Sequence, residues 1–152
     1  MNEQDNNVSF FRFEDLRIYA KAMDYITWLY GEIAPYSPTG DESNLKILKK
    51  SFFRSAHGIA MNTAEGSSRN KAQFLYYLKM AKSSVRECVV FTEIASRMEL
   101  LSENAKEYSR NQLMELTKMI GSLIASLQRT VEISVHEDRE EVLDPLPDID
   151  SL

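Results

Sequence analysis

The chain predicts an all-α fold: an antiparallel up-down-up-down four-helix bundle with a disordered acidic C-terminal tail. Three observations lead there. Apolar residues recur at three- and four-residue intervals through four long segments, as they do on helices that bury one face. Glycine (5) and proline (4) are scarce among 152 residues, too few for the tight turns of an all-β fold. The connections between the periodic segments are short, which makes consecutive helices antiparallel neighbours. A chain of this length buries about two-thirds of its unfolded surface, enough for one core. The bundle is expected over residues 1–133, with a polar arm at 1–12, and the tail over 134–152.

The first helix carries Leu16, Tyr19, Met23, Ile26, Tyr30 and Ile33 on one seam. It ends at P-Y-S-P-T-G, because proline lacks a backbone donor and restricts the residue before it. Thr39 and Glu42 have capping-box spacing for the second helix, whose seam is Leu45, Leu48, Phe52, Ser55, Ile59 and Asn62. Gly66 is expected just past its end in a left-handed conformation. Asn70 and Gln73 repeat the capping spacing and open a third helix with Phe74, Leu78, Ala81, Val85, Cys88, Phe91, Ala95 and Met98 inward. The fourth helix is expected from about Ser102 to Ile133, through Leu113, Leu116, Ile120, Leu123, Leu127 and Val131. The segment beyond it is acidic, proline-bearing and aperiodic, a composition that does not bury enough apolar surface to order itself.

Several function classes lose support. One cysteine, Cys88, allows neither an internal disulfide framework nor a multi-cysteine zinc site. With a polar, acidic N-terminus in place of a signal sequence, it points to the cytoplasm. Charges interrupt every apolar run too often for a membrane span. The two histidines, His57 and His136, do not follow a glutamate at the spacing a di-metal bundle needs, so no metal is expected. No phosphate-binding glycine loop or nucleophile elbow is present. No cofactor and no catalytic residue are assigned.

Charge is unevenly placed. The net charge is −5, yet residues 43–86 hold nine of the 18 basic side chains beside a single carboxylate, Glu65. Residues 131–152 hold eight acidic side chains and one basic. Lys71, Lys79, Lys82 and Arg86 fall on one stripe of the third helix. Lys46, Lys49, Lys50 and Arg54 decorate the outer side of the second, and Arg69 lies in the turn between them. On neighbouring helices these charges could merge into one surface for RNA or DNA phosphates, with no signal for base-specific readout. A solvated helix face offset by acidic neighbours is the plainer alternative.

The stretch from Phe52 to Glu87 resembles the small bacterial four-helix-bundle proteins encoded in intervening sequences of large-subunit rRNA genes. Their pattern is R-x-A-x-x-I-x-x-N-I-A-E-G, then F-x-x-F-L-x-x-A-x-G-S-x-x-E. It is met here by Arg54, Ala56, Ile59, Asn62, Ala64, Glu65, Gly66, Phe74, Leu78, Ala81, Ser83 and Glu87. Phe13 to Tyr19 resembles the opening of the same proteins, so the likeness runs from about Phe11 to Thr130. Thr63 stands where isoleucine is usual, and Lys82 where glycine is usual. The resemblance implies the bundle and homo-oligomers, barrel-like pentamers among known members. Relatives in diversity-generating retroelements act beside a reverse transcriptase, which allows a nucleic-acid role.

Asn62 interrupts an apolar seam, and a buried amide needs hydrogen bonds. A polar latch of Asn62, Glu65, Ser83 and Glu87 that fixes helix register is expected, with Ser84 and Arg54 as further candidate partners. The alternative, a small-molecule enzyme built on Asn62, Glu65 and Glu87, lacks a nucleophile or second base. Tyr25, Trp28, Phe53 and Tyr76 lie off the strict seams and suit either a broad core or a subunit contact. The sequence thus reads as a non-enzymatic homo-oligomeric bundle presenting basic surface to RNA or DNA, with no membrane partner. A protein–protein scaffold with an acidic partner is the rival.

Overall fold

A computed structural model describes residues 9–33 and 42–142. Four helices follow a short 3-10 turn at Arg12–Asp15: α1 Arg17–Ile33, α2 Glu42–Ser67, α3 Lys71–Arg97 and α4 Glu103–Val142. No strand occurs among the described residues. Each helix packs on two neighbours, α1 on α2, α2 on α3, α3 on α4 and α4 back on α1, while the diagonal pairs do not pack together. Contacts run antiparallel. Phe52 meets Phe91 and Gly66 meets Phe74 across α2–α3, whereas Thr92 meets Ser109 and Glu93 meets Lys106 across α3–α4.

The core is the inner face of every helix, with Ile26, Leu29, Phe52, Ile59, Leu78, Val85, Leu113, Leu116 and Ile120 buried. The first seam needs correction at two places. Met23 and Tyr30 lie at its exposed edge, because the inward stripe of α1 runs through Ala22, Tyr25 and Leu29 instead. Tyr25 is 1% exposed and is core, which removes it from any subunit contact. Trp28 is half-buried against Tyr108, and Phe53 is half-buried under Tyr30.

Helix ends follow local chemistry. Asn70 caps α3, its side-chain oxygen accepting from the Gln73 amide at 2.9 Å. Ser102 caps α4 in the same way, accepting from the Ala105 amide at 3.1 Å. The Thr39 cap proposed for α2 lies outside the described residues. Gly66 is not the left-handed residue expected: α2 continues to Ser67, and Gly66 lacks a positive φ. Its role is steric, since a Cβ there would stand 2.6 Å from the Tyr77 Cβ and 2.8 Å from the Phe74 ring. Counted from Ala81 to Glu87, the pattern's glycine falls at Ser83 and its serine at Ser84, one place later than Lys82 and Ser83, and Ser84 is the residue that packs on Gly58, where a Cβ would meet its hydroxyl at 2.7 Å.

α4 runs past the expected end at Ile133 to Val142. The residues added, S-V-H-E-D-R-E-E-V, contain no glycine or proline, so acidity alone does not stop the backbone ladder. The rest of the expected tail, 143–152, lies outside the described residues. α3 closes in a Schellman turn in which the Leu100 amide bonds the Ala95 carbonyl at 2.9 Å and the Glu99 amide bonds Ser96 at 3.0 Å. The left-handed position falls to Glu99, at φ 60°, where a side chain crowds the backbone. Glu99→Gly relieves that crowding and is expected to stabilise the protein by about 1 kcal/mol, read as a raised urea midpoint with unchanged slope.

Candidate nucleic-acid interface

The residues expected to form one polar latch divide into separate contacts. Glu65 is exposed and pairs with Arg69 one turn on, and the Arg69 guanidinium lies 5.5 Å from the Tyr77 ring centroid. Glu87 accepts a hydrogen bond from the Ser55 hydroxyl at 2.7 Å, the one polar side-chain link between α2 and α3 among the described residues. Ser83 points to solvent, and Asn62 is half-buried with no side-chain hydrogen bond to the protein. Arg54 is exposed and meets neither carboxylate. Register between α2 and α3 comes mainly from small residues, Ser55, Gly58, Ala81 and Ser84, which bring the two backbones close. Thr63, replacing isoleucine, is fully buried and donates its hydroxyl to the Ile59 carbonyl at 2.7 Å. A polar atom thereby enters the core already satisfied.

A polar network does cross the core, through residues the sequence did not single out. Tyr25 Oη lies 2.8 Å from Ser109 Oγ, Ser109 Oγ lies 2.7 Å from Thr92 Oγ1, and Thr92 donates to the Cys88 carbonyl at 2.7 Å. Each hydroxyl has one proton, so the last bond fixes the others. Thr92 must accept from Ser109, and Ser109 must accept from Tyr25. Burial pushes the Tyr25 phenol above its usual range, and burial likewise raises the Cys88 thiol, which stays protonated and unreactive.

The basic residues are placed as follows. Lys46, Lys50, Arg54, Arg69, Lys71, Lys79 and Arg86 are exposed, while Lys49 and Lys82 are half-buried. Lys50 and Arg54 turn toward α1, lining a recess with Tyr30, Phe53, His57 and Met61. Lys79, Lys82 and Arg86 share the side of α3 that carries Glu93, which bonds Lys106 of α4. The two sets therefore lean apart, with Glu87 and its bond to Ser55 between them, and do not fuse into one patch. Arg69 is neutralised by Glu65.

The recess between α1 and α2, about 590 Å³, is built on rings. Tyr30 stacks on Phe53 with centroids 4.1 Å apart and planes 14° from parallel, and its hydroxyl lies 3.1 Å from His57 Nε2. Tyr30 remains 42% exposed. A second groove begins at the same methionine, Met61, and is lined by Phe10, Phe11 and Phe13 ahead of α1. That aromatic chain lies in and next to the arm expected to be polar. Among the described residues no group of three or more His, Cys, Asp and Glu side chains could hold a metal, and no helix is long and apolar enough to cross a membrane.

Fold and site together define a class, a small antiparallel four-helix-bundle protein whose polar features are a buried run of hydroxyls and two separate sets of basic residues on its two middle helices. The chain belongs to the family of 23S rRNA-intervening sequence proteins, which it matches over residues 14–122. Its fold is similar to a solved structure from Bacteroides thetaiotaomicron VPI-5482, a protein of unknown function from the S23 ribosomal protein family. The two are 20% identical with a TM-score of 0.62, over 71% of this chain and 95% of that one. No curated protein matches the sequence.

Two ion-pair clusters tie α4 to its neighbours. The Lys21 ammonium holds the Glu115 carboxyl below the usual carboxylate range, joining α1 to α4. Lys106, with Arg97, does the same to Glu93, joining α3 to α4. Lowered carboxylate pKa values mean that this stabilisation is present above the unfolded value, about pH 4.3, and is lost as pH falls through the folded one. The Glu93→Gln/Glu115→Gln double variant should therefore melt below the parent near neutral pH. The gap should narrow steadily as pH falls below about 4.3, the unfolded value, as followed by circular dichroism.

Proposed function

We propose that this protein is a non-enzymatic homo-oligomer of the cytoplasm that binds RNA or DNA, without sequence preference, through the outer basic surface of α2 and α3. The observation that carries the proposal is the density of positive charge on α2 and α3, where residues 43–86 hold nine basic side chains beside the single carboxylate Glu65. Lys46, Lys50, Arg54, Lys71, Lys79, Lys82 and Arg86 meet no carboxylate among the described residues. Like charges one turn apart, as in Lys46/Lys50/Arg54 and Lys79/Lys82/Arg86, cost a helix stability. A polyanion would relieve that repulsion and release its counterions.

Oligomerisation is supported by spare apolar surface. Tyr76, Met80, Val90, Ile94 and Met98 stand exposed along one side of α3. Single exposed apolar residues are ordinary, but a row along one helix suits a subunit contact. Five copies is the number the family resemblance implies. Repeating the basic surface in each copy raises avidity without new contacts.

The test is fluorescence anisotropy at low salt with labelled single-stranded RNA and duplex DNA, on protein whose mass is measured by light scattering. The expected result is an oligomer that binds both, loses affinity steeply with salt, and binds several-fold more weakly once Lys79, Lys82 and Arg86 are alanine. A monomer contradicts the assembly. No binding at low salt contradicts the nucleic-acid reading and leaves a scaffold with an acidic protein partner in its place.

A further inference from the structure

The recess between α1 and α2 is not explained by a basic surface alone. Phosphate binding needs only cations, and cations on an open helix face supply it. Here two of them, Lys50 and Arg54, rim a hollow whose floor is Tyr30, Phe53 and His57, with Met61 at one end. Three rings lie near parallel: Tyr30 on Phe53 at 14°, Tyr30 on His57 at 20°, Phe53 on His57 at 23°. The Tyr30 hydroxyl, 3.1 Å from His57 Nε2, fixes the outer ring in that orientation without closing it off. No carboxylate lines the hollow among the described residues, so nothing there neutralises the two cations.

We propose that this recess is a binding site for single-stranded nucleic acid, with an unpaired base lying on the Tyr30–Phe53–His57 ring stack and the flanking phosphates on Lys50 and Arg54. The inference rests on the nucleic-acid reading above and narrows it to a strand form and a place. The chemistry separates strand forms. A duplex keeps its bases stacked on one another and offers the recess only phosphates, whereas a single strand offers both a phosphate and a free π-face. Every base has such a face, so the site discriminates strand form and not sequence. Met61, 69% exposed, extends the apolar floor toward the second groove, where Phe10 and Phe11 offer the next bases a continuation beside Arg12 and a Glu65 carboxylate already paired with Arg69. Charge selects this occupant over a second copy of the chain. A copy seated here would have to supply carboxylates to two cations, and the exposed apolar row of α3 already suits that role.

The experiment compares parent, Tyr30→Leu, Lys50→Ala/Arg54→Ala and Lys79→Ala/Lys82→Ala/Arg86→Ala by anisotropy, with a short oligouridine and a duplex of equal charge. Circular dichroism and light scattering run on each. Leucine keeps an apolar side chain over Phe53 while removing the ring. Tyr30→Leu should weaken the single strand by roughly tenfold or more and leave the duplex nearly unchanged, whereas Lys50→Ala/Arg54→Ala should weaken both. A 4-thiouridine oligomer, irradiated with the unaltered protein, should cross-link to peptides containing Tyr30 or Phe53–Met61, a readout that does not depend on any variant folding. Undiminished single-strand binding by both recess variants, with cross-links elsewhere, would overturn the recess and leave the basic surface standing. No binding of either strand form by the parent would remove both. A drop in oligomer mass on Tyr30→Leu would make the recess a subunit contact and overturn the proposal.

Discussion

The run of hydroxyls from Tyr25 through Ser109 and Thr92 to the Cys88 carbonyl is the constraint on which the closed bundle depends. α1 and α4 are far apart in sequence and form the least extensive of the four helix seams. Apolar packing along that seam would tolerate sliding, because one aliphatic contact resembles another. A buried hydroxyl does not tolerate it, since an unpaired polar atom in the core costs more than a lost apolar contact of similar size. Tyr25 reaches Ser109 on α4, and Ser109 reaches Thr92 on α3, so three helices share one register. No buried side-chain nitrogen or oxygen is left without a partner among the described residues, which is the condition under which such a network stabilises.

Holding α1 against α4 leaves the outer faces of α2 and α3 free of structural duty. α2 and α3 meet through small residues, Gly58 against Ser84 and Gly66 against Phe74 and Tyr77, and through the Ser55–Glu87 bond. Their lysines and arginines are not needed for that seam. Lys50 and Arg54 stand beside the α1 recess and Lys79, Lys82 and Arg86 toward α4, so a strand crossing both would pass over Glu87. Two separate basic clusters on the chain, one beside α1 and one toward α4, are the geometry that follows. The long α4 adds an acidic segment beyond Thr130, with Glu132 and Glu137 exposed, at the far end from the Thr92–Ser109 contact.

The fold was legible because helices advertise themselves twice, by period and by caps. The Asn70–Gln73 cap lies where spacing put it. Period fails at stripe edges, where it cannot say which side of a broad apolar face turns inward. Tyr25 and Tyr30 exchanged places for that reason, one going to the core and one to the recess. The hydroxyl network was invisible because serine and threonine at helical positions usually bond their own backbone, as Thr63 and Thr117 do. Nothing in the chain marks Thr92 and Ser109 as facing each other until α3 and α4 are folded together. The polar latch erred in the opposite direction. Asn62, Glu65, Ser83 and Glu87 were grouped by a shared motif, yet Glu65 and Ser83 fall on outer faces, which one turn of helix is enough to decide.

The most direct measurement is a urea-unfolding cycle on Tyr25→Phe, Ser109→Ala and the double variant. Ser109→Ala strands the buried Tyr25 hydroxyl and should cost about 1–3 kcal/mol. Tyr25→Phe alone should cost less, since Ser109 can still donate to Thr92. If the hydroxyls form one directed chain, adding Tyr25→Phe to Ser109→Ala should restore part of the lost stability, because the stranded group is then gone. Equal and additive losses, or a Ser109→Ala variant as stable as the parent, would contradict it.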